Sequence, residues 1–455
     1  MTLEERIADL ERRLAEALQK VEALREENVR LRKELEEWRR GHRERSKRRS
    51  SRAEGRRTTE PKKPGRKPGH AGAFRKVPKP DRTEMHPLPP RCACGGQVSP
   101  TGETERTIVQ DIPVPRVENV EHVAPVGKCD RCGARVVAPL PGAVAGGQTV
   151  CEVQLGPRVQ GLVLQLRFDG RMSLGCIAST CRTWFGLEVT KGGLSQLIDR
   201  LRDRTEASYD EVMDRVRGSA VVGLDETGLR QNGVGGWVWL ARTDEASLFR
   251  VELSRGGWVA ESILGAGFTG VVCSDFYGVY TARLDWRHGY CWAHTIRETK
   301  KVAEVDPGPL TAGFRDELSA WYAEGITVQR RGRLAERSAA REHLRNIIED
   351  RPAWEHPDVV RLCLRLDQNF EGVTAFLDHR QIPATNNATE RDIRPIAAMR
   401  KVTGGTRSAN GSRSLAHWMT ITQTLRKNDL SLRDYVANVW DAHLHGHPPP
   451  SVFAD

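Results

Sequence analysis

Between Leu3 and Trp38 one stripe of positions recurs at alternating steps of four and three without a break: Leu3, Ile7, Leu10, Leu14, Ala17, Val21, Leu24, Asn28, Leu31, Leu35 and Trp38. In heptad terms Ile7, Leu14, Val21, Asn28 and Leu35 occupy a, and the others occupy d. A stripe of this width and length needs a second helix to cover it, so residues 1–40 are read as a coiled coil of about 50–55 Å. The single Asn28 at an a position, among β-branched a and leucine d residues, favours a parallel homodimer in fixed register, and higher oligomers stay open.

The 455-residue chain carries 71 Lys+Arg against 60 Asp+Glu, a formal charge of +11. That charge is concentrated. Between Arg39 and Arg82, eighteen basic residues face four acids, so this stretch alone is +14 and the remainder sums to −3. Rich in Pro, Gly and Ser, residues 41–84 cannot bury a core and read as a disordered basic linker. Its centre, Pro64-Gly-Arg66-Lys67-Pro-Gly-His70, resembles short basic arms that lie in a DNA minor groove. A solvated spacer is the alternative, but such charge density captures phosphates whatever the sequence. Pro61, Pro64 and Pro68 rule out one continuous recognition helix. The hydrophobic fraction of 38% has no run of 18 apolar residues and no export signal at its start, so a cytoplasmic, nucleoid-associated protein with reduced thiols and no membrane partner is expected.

Two thiol pairs follow, Cys92-Ala-Cys94-Gly-Gly and Cys129-Asp-Arg-Cys132-Gly. Each is followed by a glycine turn, which suits a structural zinc site in a zinc-ribbon-like module over residues 85–150, with a β-rich insert from Thr107 to Val126. Ordinary buried thiols are the other reading. Residues 151–217 turn helical. Two short helices and a turn precede a third and resemble a helix-turn-helix, with Lys191 to Arg200 as the recognition helix.

The centre of the chain reads as strands. Ala220-Val-Val-Gly-Leu-Asp225 and Gly270-Val-Val-Cys-Ser-Asp275 are apolar runs that each end in an acid, with antiparallel partners near Trp237–Arg242 and Leu248–Leu253. Equivalent strand ends can set Asp225 and Asp275 side by side, an arrangement that needs a cation between them. Alternatively each Asp caps its own turn. Glu226, next along the strand, points to the opposite face.

In this order, Leu224-Asp225-Glu-Thr-Gly, Ser274-Asp275-Phe-Tyr-Gly-Val-Tyr280, Cys291-Trp-Ala-His294 and Asn386-Asn-Ala-Thr-Glu390-Arg-Asp-Ile-Arg-Pro395 resemble the motifs of insertion sequence 66 transposases. Arg400-Lys-Val-Thr-Gly-Gly-Thr-Arg-Ser408 and Leu425-Arg-Lys-Asn-Asp-Leu…Tyr435 extend the likeness over most of the chain. Two positions depart from the family pattern: the first thiol pair is C-x-C rather than C-x-x-C, and Thr385 stands where an Asp commonly precedes the Asn pair.

The resemblance implies a multidomain α/β protein with a ribonuclease H-like catalytic core, split into residues 218–300 and 381–440 by a helical insertion at 301–380, with a tail at 441–455. It implies a DDE transposase whose acids are Asp225, Asp275 and Glu390, holding two magnesium (or manganese) ions. Asn386 and Asn387 would cap the helix that carries Glu390. Glu298 and Asp392 are rival third acids, the latter about 200° round the helix from Glu390. Arg391 and Arg394 flank Glu390 as phosphate contacts, or pair with Asp392. Cys291 and His294 are read as a structural pair that locks the insertion, with metal binding there the minor alternative. The implied partners are double-stranded DNA at element terminal inverted repeats and target sites, together with accessory proteins of the same element. A DNA-binding regulator, an inactive derivative and a metal-dependent nuclease without strand transfer are the competing classes.

Overall fold

The computed structural model describes residues 75–121, 123, 125–137, 154–350 and 356–454, together with residues 19, 20 and 30. The heptad seam and most of the basic linker, including Arg66 and Lys67, lie outside the described residues. The described residues between 75 and 137 are largely exposed and mostly without regular structure, with two short antiparallel strands, β1 (Val126–Lys128) and β2 (Arg135–Val137), flanking the second thiol pair. The β-rich insert expected at Thr107–Val126 does not form: residues 107–121 carry no strand. Pro113 and Pro115 lack the N–H that a ladder requires and interrupt the apolar positions from Ile112 to Val117.

Helix α1 (Pro157–Leu164) runs into a π turn at Gln165–Asp169. Helices α2 (Leu174–Phe185) and α3 (Lys191–Arg204) are joined by a tight turn, and α4 (Glu206–Arg217) follows. Ser173 and Thr190 cap α2 and α3 by accepting from Cys176 N–H and Gly193 N–H, which fixes both starts. In α3, Leu194, Leu197, Ile198 and Leu201 are buried, while Lys191 and Arg200 face solvent.

A five-stranded sheet comes next: β3 (Val221–Gln231), β4 (Val234–Arg242), β5 (Ser247–Glu252), β6 (Val271–Ser274) and β7 (Arg287–Tyr290), in the order β5-β4-β3-β6-β7. The first three strands form an antiparallel meander, and β6 and β7 run parallel to β3. Two short helices, α5 (Gly257–Leu264) and α6 (Gly278–Thr281), lie in the connections. Contrary to the sequence reading, Asp225 does not end its strand. Strand β3 continues six residues beyond it because β4 pairs with it as far as Gln231, whereas pairing with β6 stops at Gly223. Asp225 therefore stands where the central strand has just lost its parallel neighbour.

Helices α7 (Trp292–Val305), α8 (Pro309–Arg331), α9 (Leu334–Glu349), α10 (Pro357–Gln368) and α11 (Phe370–Thr374) build a second core against β6 and β7. At its centre the rings of Trp292 and Trp321 lie 4.6 Å apart, and their indole N–H groups donate to Val373 O and Ala340 O, both at 2.7 Å. The chain then returns to the sheet with α12 (Asn387–Thr403), α13 (Ala409–Lys427) and α14 (Leu432–Leu444).

Helix α13 is buried almost all round from Leu415 to Leu425, as a helix between two layers must be. On one side it covers edge strand β5, whose outward N–H groups at Ser247 and Phe249 donate to Thr424 and Thr420. One helical turn separates these hydroxyls, matching the two-residue repeat of the strand edge and closing it to further pairing. On the other side Trp418 Nε1 donates to Ile198 O, and the buried Arg202 donates to Asn410 and Ser414. The α1–α4 segment thus shares one core with the sheet. No described helix is long and apolar enough to cross a membrane.

His417 sits inside this α3–α13 junction, with Nε2 2.7 Å from Thr205 Oγ1 and its ring stacked on Tyr209. Burial, then the Arg202 and Arg413 charges, push it down to about 3. A folded-state value below the ordinary one means that the unfolded chain binds the extra proton. The neutral ring's contribution is therefore complete above about pH 6.5 and is lost as pH falls from there toward 3, at up to about 1.4 kcal/mol per pH unit. Urea midpoints measured between pH 7 and 4 should fall in wild type, and His417→Gln should flatten that decline; equal slopes would contradict it.

Candidate active site

The site is built where α12 meets the sheet. Asn386 precedes α12, but its side chain does not cap the helix as expected. Its Nδ2 instead donates 2.8 Å to Leu224 O, the carbonyl beside Asp225, and its backbone N–H points at Cys291 Sγ, 3.0 Å away. One residue thus ties together the central strand, the end of β7 and the helix carrying Glu390. The approach is close enough to require glycine: a Cβ on Gly223 would lie 2.1 Å from Thr389 Oγ1 and 3.0 Å from Asn386 Oδ1. Further along α12, Arg400 Nη1 donates to Thr227 Oγ1 at 3.1 Å and to Gly228 O, pinning the helix to the rest of β3.

Asp225 accepts from the N–H of Glu226 at 2.9 Å, and Asp275 accepts from the N–H of Tyr277 at 3.0 Å. Burial pushes the Asp225 carboxyl up to about 7, and the charges of Glu226, Asp275 and Glu390 push in the same direction. Asp225, Asp275 and Glu390 are therefore near enough to feel one another, although among the described residues they do not close to a mutual 4.8 Å. The oxygens of Asp225, Asp275 and Glu390 are of the kind that a hard divalent cation takes.

Glu390 is drawn toward the α7 side. Its Oε1 lies 3.6 Å from His294 Nε2, and Cys291 Sγ completes a group whose ligand atoms are all within 4.8 Å of one another. Burial raises the Cys291 thiol, against backbone N–H groups from Asn386, His294 and Ala293 that lower it.

The rival acids are engaged elsewhere. Glu298 pairs with Arg361 at 2.8 Å and Arg365 at 2.7 Å from α10. Asp392 pairs with Lys427 at 2.8 Å and Arg242 at 3.4 Å, which leaves Arg391 and Arg394 exposed beside Glu390. Glu226 does point to the other face, where its side chain is 4% exposed. There Oε1 accepts from Arg255 Nε at 2.9 Å and Nη2 at 2.6 Å, and Oε2 accepts from the Tyr280 hydroxyl.

Sequence reasoning missed this cluster. The guanidinium of Arg255 lies 4.3 Å from the Trp237 ring centre and 3.9 Å from that of Tyr277, two residues past Asp275. Arg255 comes from the β5–α5 connection, so no local spacing announces it, whereas Tyr280 lies within the Ser274–Tyr280 motif. The close approach at Gly223 and the bond from Asn386 to Leu224 O likewise depend on residues distant in the chain.

The cysteine turns are formed locally. Gly95 N–H donates to Cys92 O at 2.8 Å, and Gly133 N–H donates to Cys129 O at 2.9 Å with Gly133 at φ +71°, a left-handed turn suited to glycine. Hydrogen bonding within each pair lowers Cys92 and Cys129. Among the described residues, Cys92, Cys94, Cys129 and Cys132 are not gathered into one ligand group.

Residues 152–414 match the family described as Transposase IS66 family. Three proteins of Sinorhizobium fredii are similar, each bearing the name of an uncharacterized protein. Protein y4hP is 22% identical over 416 residues, 82% of this chain and 74% of its own length. Protein y4qI is 24% identical over 312 residues, 59% of this chain and 56% of its own. Protein y4jO is 27% identical over 170 residues, 37% of this chain, and the match spans about half of y4jO (51%).

Proposed function

The chain belongs to the IS66 transposase family, and from that membership we propose that it is a DDE transposase that binds the ends of its element, cuts a DNA strand there and joins the freed 3′-hydroxyl to target DNA. The observation that carries this reading is Asp225, half-buried on the central strand, with Asp275 and Glu390 near enough to be among the causes that push its carboxyl up to about 7. A mixed sheet with one acid on its central strand, a second just past the neighbouring parallel strand and a third on the helix crossing them supports a ribonuclease H-like core. Magnesium or manganese held by Asp225, Asp275 and Glu390 would supply charge neutralisation at the scissile phosphate and an activated attacking oxygen. The chain's own residues set the stage: Asn386 fixes the helix of Glu390 against the strand of Asp225, and Arg391 and Arg394 stand exposed to receive phosphate.

DNA is held, in this reading, by the exposed face of α3 with Lys191 and Arg200 and by the basic linker with Arg66 and Lys67. The linker's share is sequence-independent and salt-sensitive. Replacing Arg66 and Lys67 by Ala should reduce the slope of log affinity against log salt by about 2, at roughly 0.9 per phosphate contact. An unchanged slope would remove these two residues from the interface.

The deciding experiment incubates the full-length protein with magnesium, duplex DNA carrying the element's terminal repeats and a supercoiled target. Joined products are expected. Cut ends without joined product would make the protein a nuclease, and binding without cutting would make it a regulator.

A further inference from the structure

The strongest unassigned arrangement is the meeting of Cys291, His294 and Glu390. Cys291 closes β7, where its N–H donates to Ser274 O at 2.9 Å, and it precedes the first turn of α7, which carries His294. Glu390 arrives from the first turn of α12. Thus three separate ligand chemistries, a sulfur, an imidazole nitrogen and a carboxylate oxygen, come within 4.8 Å of one another. Among the described residues no other group of three does so. At 3.6 Å the imidazole and the carboxylate are too far apart for a hydrogen bond. His294 Nδ1 and Glu390 Oε1 are buried with no hydrogen-bond partner. A buried carboxylate oxygen left unsatisfied is costly, so Glu390 Oε1, with His294 Nε2 3.6 Å away and the Cys291 sulfur in the same group, calls for an occupant. The sulfur already receives the Asn386 N–H, the contact that backbone amides make to metal-bound thiolates.

We propose that Cys291, His294 and Glu390 form a site for one soft divalent cation of the zinc class, separate from the hard-cation site at Asp225 and Asp275. The two sites divide by donor type. Magnesium takes oxygen ligands and dehydrates reluctantly, whereas a thiolate and an imidazole select zinc, and three protein ligands leave a fourth position open. The site ties the starts of α7 and α12 together through side chains. It rests on the three ligands alone, with Glu390 shared with the proposed acid triad.

The test uses the full-length chain with Cys92, Cys94, Cys129 and Cys132 all replaced by Ser, which removes the other thiol pairs. Zinc content after dialysis and the absorption spectrum with cobalt(II) are read without DNA or activity. One equivalent of zinc is expected, together with a sulfur-to-cobalt charge-transfer band. Adding Cys291→Ser should abolish the band, and His294→Gln should weaken zinc binding at least tenfold. Asp225→Asn should leave both unchanged. No stoichiometric zinc in the four-serine protein, a band that survives Cys291→Ser, or loss of zinc in Asp225→Asn would each overturn the site. Should Cys291→Ser fail to fold, zinc content of the four-serine protein and of His294→Gln decides. Because no readout depends on strand transfer, a negative result here leaves the transposase reading standing, and the reverse holds.

Discussion

Asp225→Asn is expected to abolish strand cleavage and joining, by at least a thousandfold, while raising the stability of the metal-free protein at pH 8. The two effects have one cause. Burial, aided by neighbouring negative charge, holds the Asp225 carboxyl at about 7 against an ordinary value of 3.8. A carboxyl whose folded value is raised favours the folded state fully below about pH 4, and that contribution is lost as pH rises through 7. At pH 8 the ionised group therefore burdens the metal-free protein, by as much as a few kcal/mol. Asn keeps the acceptor for the Glu226 N–H but carries no charge, so its melting temperature should be higher and less sensitive to pH between 6 and 8. Magnesium should raise the melting temperature of wild type and leave the variant unmoved. An Asp that merely capped its turn would give neither response. Loss of stability in the variant, or cleavage retained within tenfold, would remove Asp225 from the proposed triad.

The parts of the fold set by local patterning were legible in the sequence. Strands β3 to β6 are apolar runs separated by glycine and polar turns, and α3 announces itself through Thr190 and the spacing of Leu194, Leu197 and Leu201. What escaped depends on partners distant in the chain. Strand β7, Arg287–Tyr290, has no alternation and becomes a strand because β6 offers it a parallel edge. The Thr107–Val126 stretch has β-forming residues but prolines that deny it a ladder. Asn386 has the chemistry of a cap, yet its amide is spent on Leu224 O, 162 residues earlier. Strand alternation turns Glu226 to the other face, but Arg255, which pairs with it, and Tyr280, whose hydroxyl donates to it, could be found only in three dimensions. Cys291 and His294 read from sequence as a structural pair with metal binding the lesser alternative, because i, i+3 spacing shows that two ligands meet and cannot show a third arriving from α12.

Gly223→Ala should disable the protein through one added carbon, and Thr389→Ala should restore it. The new Cβ would lie 2.1 Å from Thr389 Oγ1, a buried side chain too short to swing clear. Something must move, and the mobile partner is the start of α12, since β3 is held on both sides by β4 and β6. Overpacking of this kind costs about 1–3 kcal/mol. Activity should fall further than stability does, because Thr389 precedes Glu390 and Asn386 grips the carbonyl next to Asp225. The contact that excludes a methyl group is also the one that sets how far apart the two acids stand, and a displacement of about 1 Å can reduce a rate about a hundredfold. Removing the Thr389 hydroxyl and methyl clears the 2.1 Å clash, leaving the new Cβ 3.4 Å from the Cβ of residue 389 and 3.0 Å from Asn386 Oδ1, which must give by a few tenths of an ångström. The double variant should therefore recover most of the lost stability and activity, with a coupling of about 1–3 kcal/mol in the cycle. Simple additivity of the two single losses would mean that α12 is not positioned by Gly223, and that the spacing of the acids is fixed elsewhere.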